Sequence, residues 1–465
     1  MTTMMTIREQ WQAFAQGDET PSARCEQQLA RALDPSGEGS RTFVALDAEA
    51  IRQAARAADA RWANAERDAA RALEGITISI KDLFDVAGEV TTAGSTVLRA
   101  RAPAAADAPA VARLREAGAI IFGRSNMVEF AFSGVGINPH YGTPRNVWAR
   151  TNDGGGRVPG GSSSGAAIGV ADGMCTAALG TDTGGSVRIP AAFNALVGFK
   201  PSAFRVPVNG AVPLSFLHDS VGPLAASVDC CARIDAVLSG DTAPVVPPQP
   251  LAGRRFLLPQ GTLWRGLDAE VLAACRRAVD VLRDAGATVV TAPCAPLEAF
   301  FAELAAAPGE RHMGRLAETW DWHAANVGTQ GVGYDPRVWQ RIALGADVSR
   351  AETSQAIAWL RLWKHRMHAA LAAFDALIAP TVACVPPPIA PLVADDAAFF
   401  AANALILRNT IWVNHMDGCA ISLPCHDAGA APVGLQLVGR HAGDHALLAL
   451  AREVETALNA ARRRD

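Results

Sequence analysis

LREAGAIIFG, residues 114–123, and LRDAGATVV, residues 282–290, share one local pattern: a helical end, a glycine, then a short strand-like run. Gly118 and Gly286 stand where a helix end takes a left-handed residue, a conformation that costs glycine nothing. Helix, glycine and strand in alternation predict an α/β chain, with a helix expected near residues 109–117 and strands at AIIFG and TVV.

Working outward, ITISI (76–80) reads as a buried strand with Lys81 at its end, followed by KDLFDVAG and a polar turn. Upstream, Phe43, Val44, Leu46, Ile51, Ala54, Ala55 and Ala58 fall at helical spacing, so one long early helix is expected within 43–72, with Asp47 as a cap. Segment 134–215 is rich in Gly, Ser and Pro but broken by AAIGVA, TAALG and ALVGF. It reads as ordered loops between buried elements rather than a linker. TAPVVPPQP (242–250) and ACVPPPIAPLV (383–393) read as surface crossings, with three or four helices between them, including TSQAIAWLRLWKHRMHAALAAF. CAISLP and VGLQLVG close the chain as strands and DHALLALAREVETAL as an amphipathic helix, and no solenoid repeat is visible.

A chain of 465 residues, half of them apolar and 19% charged, can bury a large core. The net charge of −4 and the lack of any Lys/Arg run interleaved with aromatics argue against a nucleic-acid partner. MTTMMTIREQWQAF has neither a basic start nor an apolar h-region, and stretches such as AAIGVADGMCTAALG are interrupted before reaching membrane-span length. The expectation is a cytoplasmic protein without a membrane partner. The nine cysteines form no C-x-x-C pair and read as reduced core residues. No H-E-x-x-H and no G-x-x-x-x-G-K-[ST] occurs, and His365 and His368 lie beside cations in WKHRMH, so neither a metal nor a cofactor is expected.

Of 42 basic residues only three are lysines: Lys81, Lys200 and Lys364. A buried ammonium can lose its proton, which a guanidinium cannot. Two Gly-Ser loops follow Lys81, PGGSSSG (159–165) and GTDTGGSVRIPAA (180–192). Ser163 matches G-x-S-x-G, but NDGGGRVP before it is no strand, as a nucleophile elbow would need. Lysine is left as the base, with the serine loops offering a nucleophile and a relay.

Three segments together resemble the amidase signature family of serine hydrolases: GITISIKDLFDVAGEVTTAGS (75–95), VPGGSSSGAAIGVADG (158–173) and LGTDTGGSVRIPAAFNALVGFKPS (179–202). Weaker likeness runs through LREAGAIIFGRSNMVEFAFSG, HYGTPRNVW, DSVGPLAASV, LIAPT and PVGLQLVGRH, and 295–375 is least alike. The resemblance implies the α/β amidase-signature fold, a large mixed and twisted sheet covered by helices on both faces. It implies one domain over 1–465, made of an N-terminal helical segment (1–72), a catalytic signature core (75–202) and a variable helical pocket region (295–375).

Carried over by position, the resemblance makes Ser186 the acyl-forming nucleophile, Ser162 the bridging serine and Lys81 the base, and places a cis peptide at Gly161–Ser162. The N–H groups of Thr183, Gly184, Gly185 and Ser186 would form an oxyanion hole. Asp182 and Arg188 are expected to pair and brace that loop. Phe132, Asn138, Tyr141, Phe216, His218, Trp322 and His323 are candidates for the substrate pocket. The implied reaction is hydrolysis of a carboxylic amide or urea-type C–N bond in a small molecule, the enzyme being a homodimer as relatives commonly are. The A subunit of an amidotransferase, working as a glutaminase with partner subunits, and a silent binding protein are the alternatives. Thr77, Leu83 and Ser164 depart from the family pattern without removing a catalytic atom.

Overall fold

The computed structural model describes residues 4–63, 72–150, 155–241, 250–306 and 315–462. Among them, eleven strands build one sheet: β1 (Phe43–Ala45), β2 (Thr77–Lys81), β3 (Ile120–Ser125), β4 (Ala177–Asp182), β5 (Val197–Lys200), β6 (Ser220–Ala225), β7 (Arg255–Gln260), β8 (Thr288–Pro293), β9 (Ala376–Pro380), β10 (Ala420–Pro424) and β11 (Gly434–Val438). Their order is β1-β3-β2-β4-β6-β5-β10-β11-β9-β7-β8. β2 runs parallel to β3 and β4, β7 runs parallel to β8 and β9, and the strands between these groups pair antiparallel.

Alternate residues explain why helices cover both faces. Ala177 and Leu179 of β4 join one apolar cluster with Ile78 and Ile80, whereas Ala178 joins another with Phe122 and Leu224. A strand buried on both sides needs cover on both sides. Both copies of the helix-glycine-strand pattern are present: Pro109–Glu116 leads through Gly118 (φ +89°) into β3, and Ala269–Asp284 leads through Gly286 into β8.

The early helix is shorter than its periodicity suggests. Phe43–Ala45 is an edge strand paired with β3, Phe43 opposite Ser125, and the Phe43 ring packs 5.8 Å from that of Phe122. Three apolar residues at that spacing satisfy either element, and the open edge of β3 decides between them. The helix proper is Ala48–Ala63, and Asp47 caps it by accepting from the N–H groups of Glu49 (3.1 Å) and Ala50 (3.0 Å). Residues 64–71 of the expected helix and 242–249 of the first proline-rich crossing lie outside the described residues. Five described helices, not three or four, lie between the two proline-rich stretches: Ala269–Asp284, Ala295–Ala306, Arg315–Asn326, Pro336–Ala343 and Arg350–Ala370. The second stretch is only partly a surface crossing, since Ala383 and Leu392 are buried and Ile389–Ala394 is helical. All nine cysteines are unpaired and eight are buried. Among the described residues no helix is long and apolar enough to cross a membrane.

β2 and β4 are parallel neighbours, so their C-terminal residues Lys81 and Asp182 emerge at the same edge of the sheet, and Ser220, which starts antiparallel β6, pairs with Asp182 there. Loops gathered at the carboxyl ends of parallel strands form the usual crevice of an open α/β sheet.

Candidate active site

Lys81 is fully buried, and its Nζ donates to Ser162 Oγ at 2.7 Å and to Thr181 Oγ1 at 2.9 Å. Burial lowers its pKa from 10.5 to about 7, against the opposing fields of Asp219 and Asp182. An amine that is neutral near pH 7 and in contact with a hydroxyl can take that hydroxyl's proton.

The two Gly-Ser loops meet beside it. The Gly161–Ser162 peptide is cis, Ser162 O accepts from Val128 N at 3.1 Å, and Ser163 N donates to Ser186 O at 3.3 Å. Ser163 Oγ turns to the Thr181 carbonyl at 3.4 Å. Helix Ser164–Ala171 begins directly after, so Ser164 sits in helical backbone with its Oγ 3.4 Å from Asn126 O; the extra Cβ is accommodated where the family pattern has glycine. The other two departures are likewise absorbed: Thr77 Oγ1 bonds Gln28 at 2.9 Å, and Leu83 is buried in the core.

Asp182 organises the second loop. Its carboxylate accepts from the N–H groups of Gly185 (2.8 Å), Val187 (3.1 Å) and Arg188 (3.3 Å), and pairs with the Arg188 guanidinium at 2.9 Å, both side chains being wholly buried. Desolvation opposes ionisation here, but the Arg188 charge and hydrogen bonds outweigh it and hold the carboxyl well below the usual range. Arg188 also bonds Gln436, Thr410 O and Asn414. Ser186, 3% exposed, follows Gly185, whose φ of +132° and a would-be Cβ only 2.2 Å from Thr410 Oγ1 demand glycine.

Gly185 corrects one expectation. Because its N–H is committed to Asp182, it faces the buried carboxylate rather than the crevice, which leaves Thr183, Gly184 and Ser186 from the expected set of donors. Thr183 is fastened separately: its Oγ1 donates to Asp219 Oδ1 at 2.5 Å, while Asp219 Oδ2 accepts from the N–H groups of Leu214 (3.0 Å) and Ser215 (3.1 Å).

The candidate pocket residues divide. His218 is buried, its Nδ1 2.9 Å from Ser215 Oγ and its ring 4.2 Å from that of His415, next to Asn414, which donates to the Asp182 carboxylate. His323, Trp322 and Phe130 form one aromatic group, with His323 4.5 Å from Phe130 and its Nδ1 2.9 Å from Tyr334 Oη. Phe132 is buried under the Arg341 guanidinium, 5.2 Å from its ring. Tyr141 accepts from Arg99 at 3.0 Å and donates to Thr92 at 3.2 Å. Phe216 is 55% exposed. Asn138 does not serve as an open recognition group: its amide donates to Gly94 O (2.8 Å) and Met127 O (2.7 Å), and its oxygen accepts from His140 and Tyr141 N–H, which fills all four positions.

Several members of this site carry no local signal in the sequence. Thr410 and Asn414 reach the Asp182 loop from more than two hundred residues away, and Glu318 enters from the stretch least like the family. Only the closed fold brings them in.

Residues 32–448 match the family described as Amidase. A 2-amino-5-chloromuconic acid deaminase from Comamonas testosteroni is 36% identical over 82% of this chain and 81% of its own. The A subunit of a glutamyl-tRNA(Gln) amidotransferase, from Roseiflexus sp. (strain RS-1), is 34% identical over 96% of this chain and 94% of its own. A crystal structure of an amidase superposes with a TM-score of 0.84 at 32% identity, covering 97% of this chain and 99% of that one.

Proposed function

Since this chain belongs to the Amidase family of hydrolases acting on amide C–N bonds, we propose that it opens a small-molecule amide through an acyl-enzyme on Ser186, with Ser162 as the bridging hydroxyl and Lys81 as the base. The observation that carries this reading is the buried Lys81 amine 2.7 Å from Ser162 Oγ, with its pKa lowered to about 7. Neutral Lys81 draws a proton through Ser162 from Ser186, whose oxygen adds to the amide carbonyl. The N–H groups of Thr183, Gly184 and Ser186 receive the developing oxyanion, each such donor being worth roughly 2.7–4 kcal/mol in other hydrolases. Ser162 then protonates the leaving nitrogen, and water, activated through the same relay, attacks the ester and frees Ser186.

Substrate choice falls to the helices of 295–375 together with the 214–219 turn, which carry Trp322, His323, Phe216 and His218, and to Phe132, whose ring lies under Arg341. The test is release of ammonia or amine from a panel of aliphatic, aryl and carboxylate-bearing amides, beside the Ser186→Ala variant. Undiminished turnover in that variant would sink the assignment. The likeness to the amidotransferase chain favours one second reading, a glutaminase dependent on partner subunits; turnover of simple amides by the isolated chain, with none of glutamine, decides against it.

A further inference from the structure

We propose that Glu318 is a positioning residue, which ties the variable helix to the turn carrying Asp219 and through that turn sets Thr183 in the nucleophile loop. This rests on the reading of Ser186 as the nucleophile.

Glu318 lies in the Arg315–Asn326 helix, within the stretch of the sequence least like the signature family. Its carboxylate accepts the Ser215 hydroxyl. The next residue adds a second tie, as Thr319 Oγ1 donates to Leu214 O at 2.7 Å. Two consecutive residues of the turn, Leu214 and Ser215, are therefore held by two adjacent side chains of one helix.

The turn passes the constraint inward. Asp219 accepts from Leu214 N and Ser215 N with one oxygen and from Thr183 Oγ1 with the other. Thr183 begins the loop that ends on Ser186, and Asp219 is one of the two carboxylates whose field acts on Lys81. Farther along the same helix, Trp322 and His323 pack on Phe130, and His323 bonds Tyr334. One helix thus fixes the 214–219 turn and the aromatic wall together.

None of these bonds joins Glu318 to Ser186, so its action runs through the turn. Without the carboxylate, the buried Ser215 hydroxyl loses that acceptor, and the turn is free to relax. Displacement of a positioning group by about 1 Å can cost on the order of 100-fold in rate.

The experiment compares the parent with Glu318→Ala, Glu318→Gln and Ser215→Ala, the last removing the same bond from its other end. A fluorophosphonate probe reads the rate of Ser186 modification independently of any amide substrate, and kcat and KM are measured on an amide that the parent turns over. Glu318→Ala is expected to slow Ser186 labelling and kcat by about 10-fold or more, with KM changing far less, Glu318→Gln falling between it and the parent. A purely structural role would lower the melting temperature and leave labelling of the folded protein at the parental rate. Labelling of Glu318→Ala at that rate overturns the inference; where that variant does not fold, parental labelling of Ser215→Ala does so. Absence of labelling at Ser186 in a parent that hydrolyses amides removes the nucleophile assignment instead, and this inference with it.

Discussion

Lys81 Nζ and Ser162 Oγ lie 2.7 Å apart in a place sealed from solvent, and the lysine bonds hydroxyls there rather than a carboxylate. A charge so placed is under-compensated, which is why burial carries the lysine pKa from 10.5 down to about 7. As the proposed base, Lys81 must be neutral, so kcat/KM is expected to rise with pH and level off above about 7. Lys81→Arg keeps the charge but cannot give up its proton, and a loss of at least about 100-fold in kcat is expected. Activity within a few-fold of the parent at pH 8 would rule out the relay.

The same shift is a stability statement with the opposite sign from a salt-bridged lysine. Below pH 7 both folded and unfolded lysine are charged and the burial cost is complete; between about 7 and 10.5 only the unfolded chain holds the proton, so stability rises with pH. Lys81→Met removes the term. Its stability relative to the parent, from urea midpoints, is expected to shift by roughly 3–5 kcal/mol between pH 6.5 and 10, the variant's advantage being larger at the lower pH. A constant difference across that range contradicts a depressed pKa.

Two adjacent serines are separated by geometry. Ser162 Oγ receives Lys81, whereas Ser163 Oγ makes one long contact of 3.4 Å with the Thr181 carbonyl. Ser163→Ala is expected to keep activity within about three-fold, its lost bond being among the weakest. Ser162→Ala is expected to lose about 100-fold or more, as removal of a general acid–base group does. Equal losses would mean that the G-x-S-x-G match was informative after all.

The Asp182–Arg188 pair makes a prediction about folding. Asp182→Asn leaves the Arg188 guanidinium buried and uncompensated, and removal of one partner from such a pair costs about 3–5 kcal/mol. Loss of the carboxylate also weakens three loop N–H bonds. A large drop in urea midpoint with a parallel fall in kcat is expected, and Arg188→Lys, which cannot span the same partners, should follow it.

The parts of this molecule legible in the sequence are those where local pattern and global burial agree. The Gly118 and Gly286 stops mark helix ends because only the left-handed turn fits there, and ITISIK is apolar throughout but for its hydroxyls and the lysine because β2 is buried on both faces. Phe43–Ala45 escaped because helical spacing and an edge strand both suit FVA, and the choice depends on the free edge of β3, far downstream in sequence. That Lys81 meets the two serine loops is legible in the signature, their spacing in the sequence being that of neighbouring strand ends. Glu318, Thr410 and Asn414 were not, since a lone polar residue on a helix looks solvated until the fold shows what it bonds. Asn138 misled in the reverse sense: a polar residue near the site, it spends every hydrogen bond holding its own loop.

His323 offers a final check, on the aromatic wall. Its ring is fully buried against Phe130, with Nδ1 on Tyr334, and Nε2 meets no hydrogen-bond partner among the described residues. Burial first, and then the positive charge of Arg101, lower its pKa from 6.5 to about 4. As pH falls from 6.5 to 4 the unfolded chain takes the proton and the folded one does not, so this residue subtracts stability on acidification, by roughly 2–3 kcal/mol at the low end. His323→Leu lacks that term. The parent is therefore expected to lose more of its urea midpoint than the variant between pH 7 and 4.5, whatever the variant's absolute stability. Parallel curves would mean that the imidazole titrates normally, and that water reaches the aromatic wall.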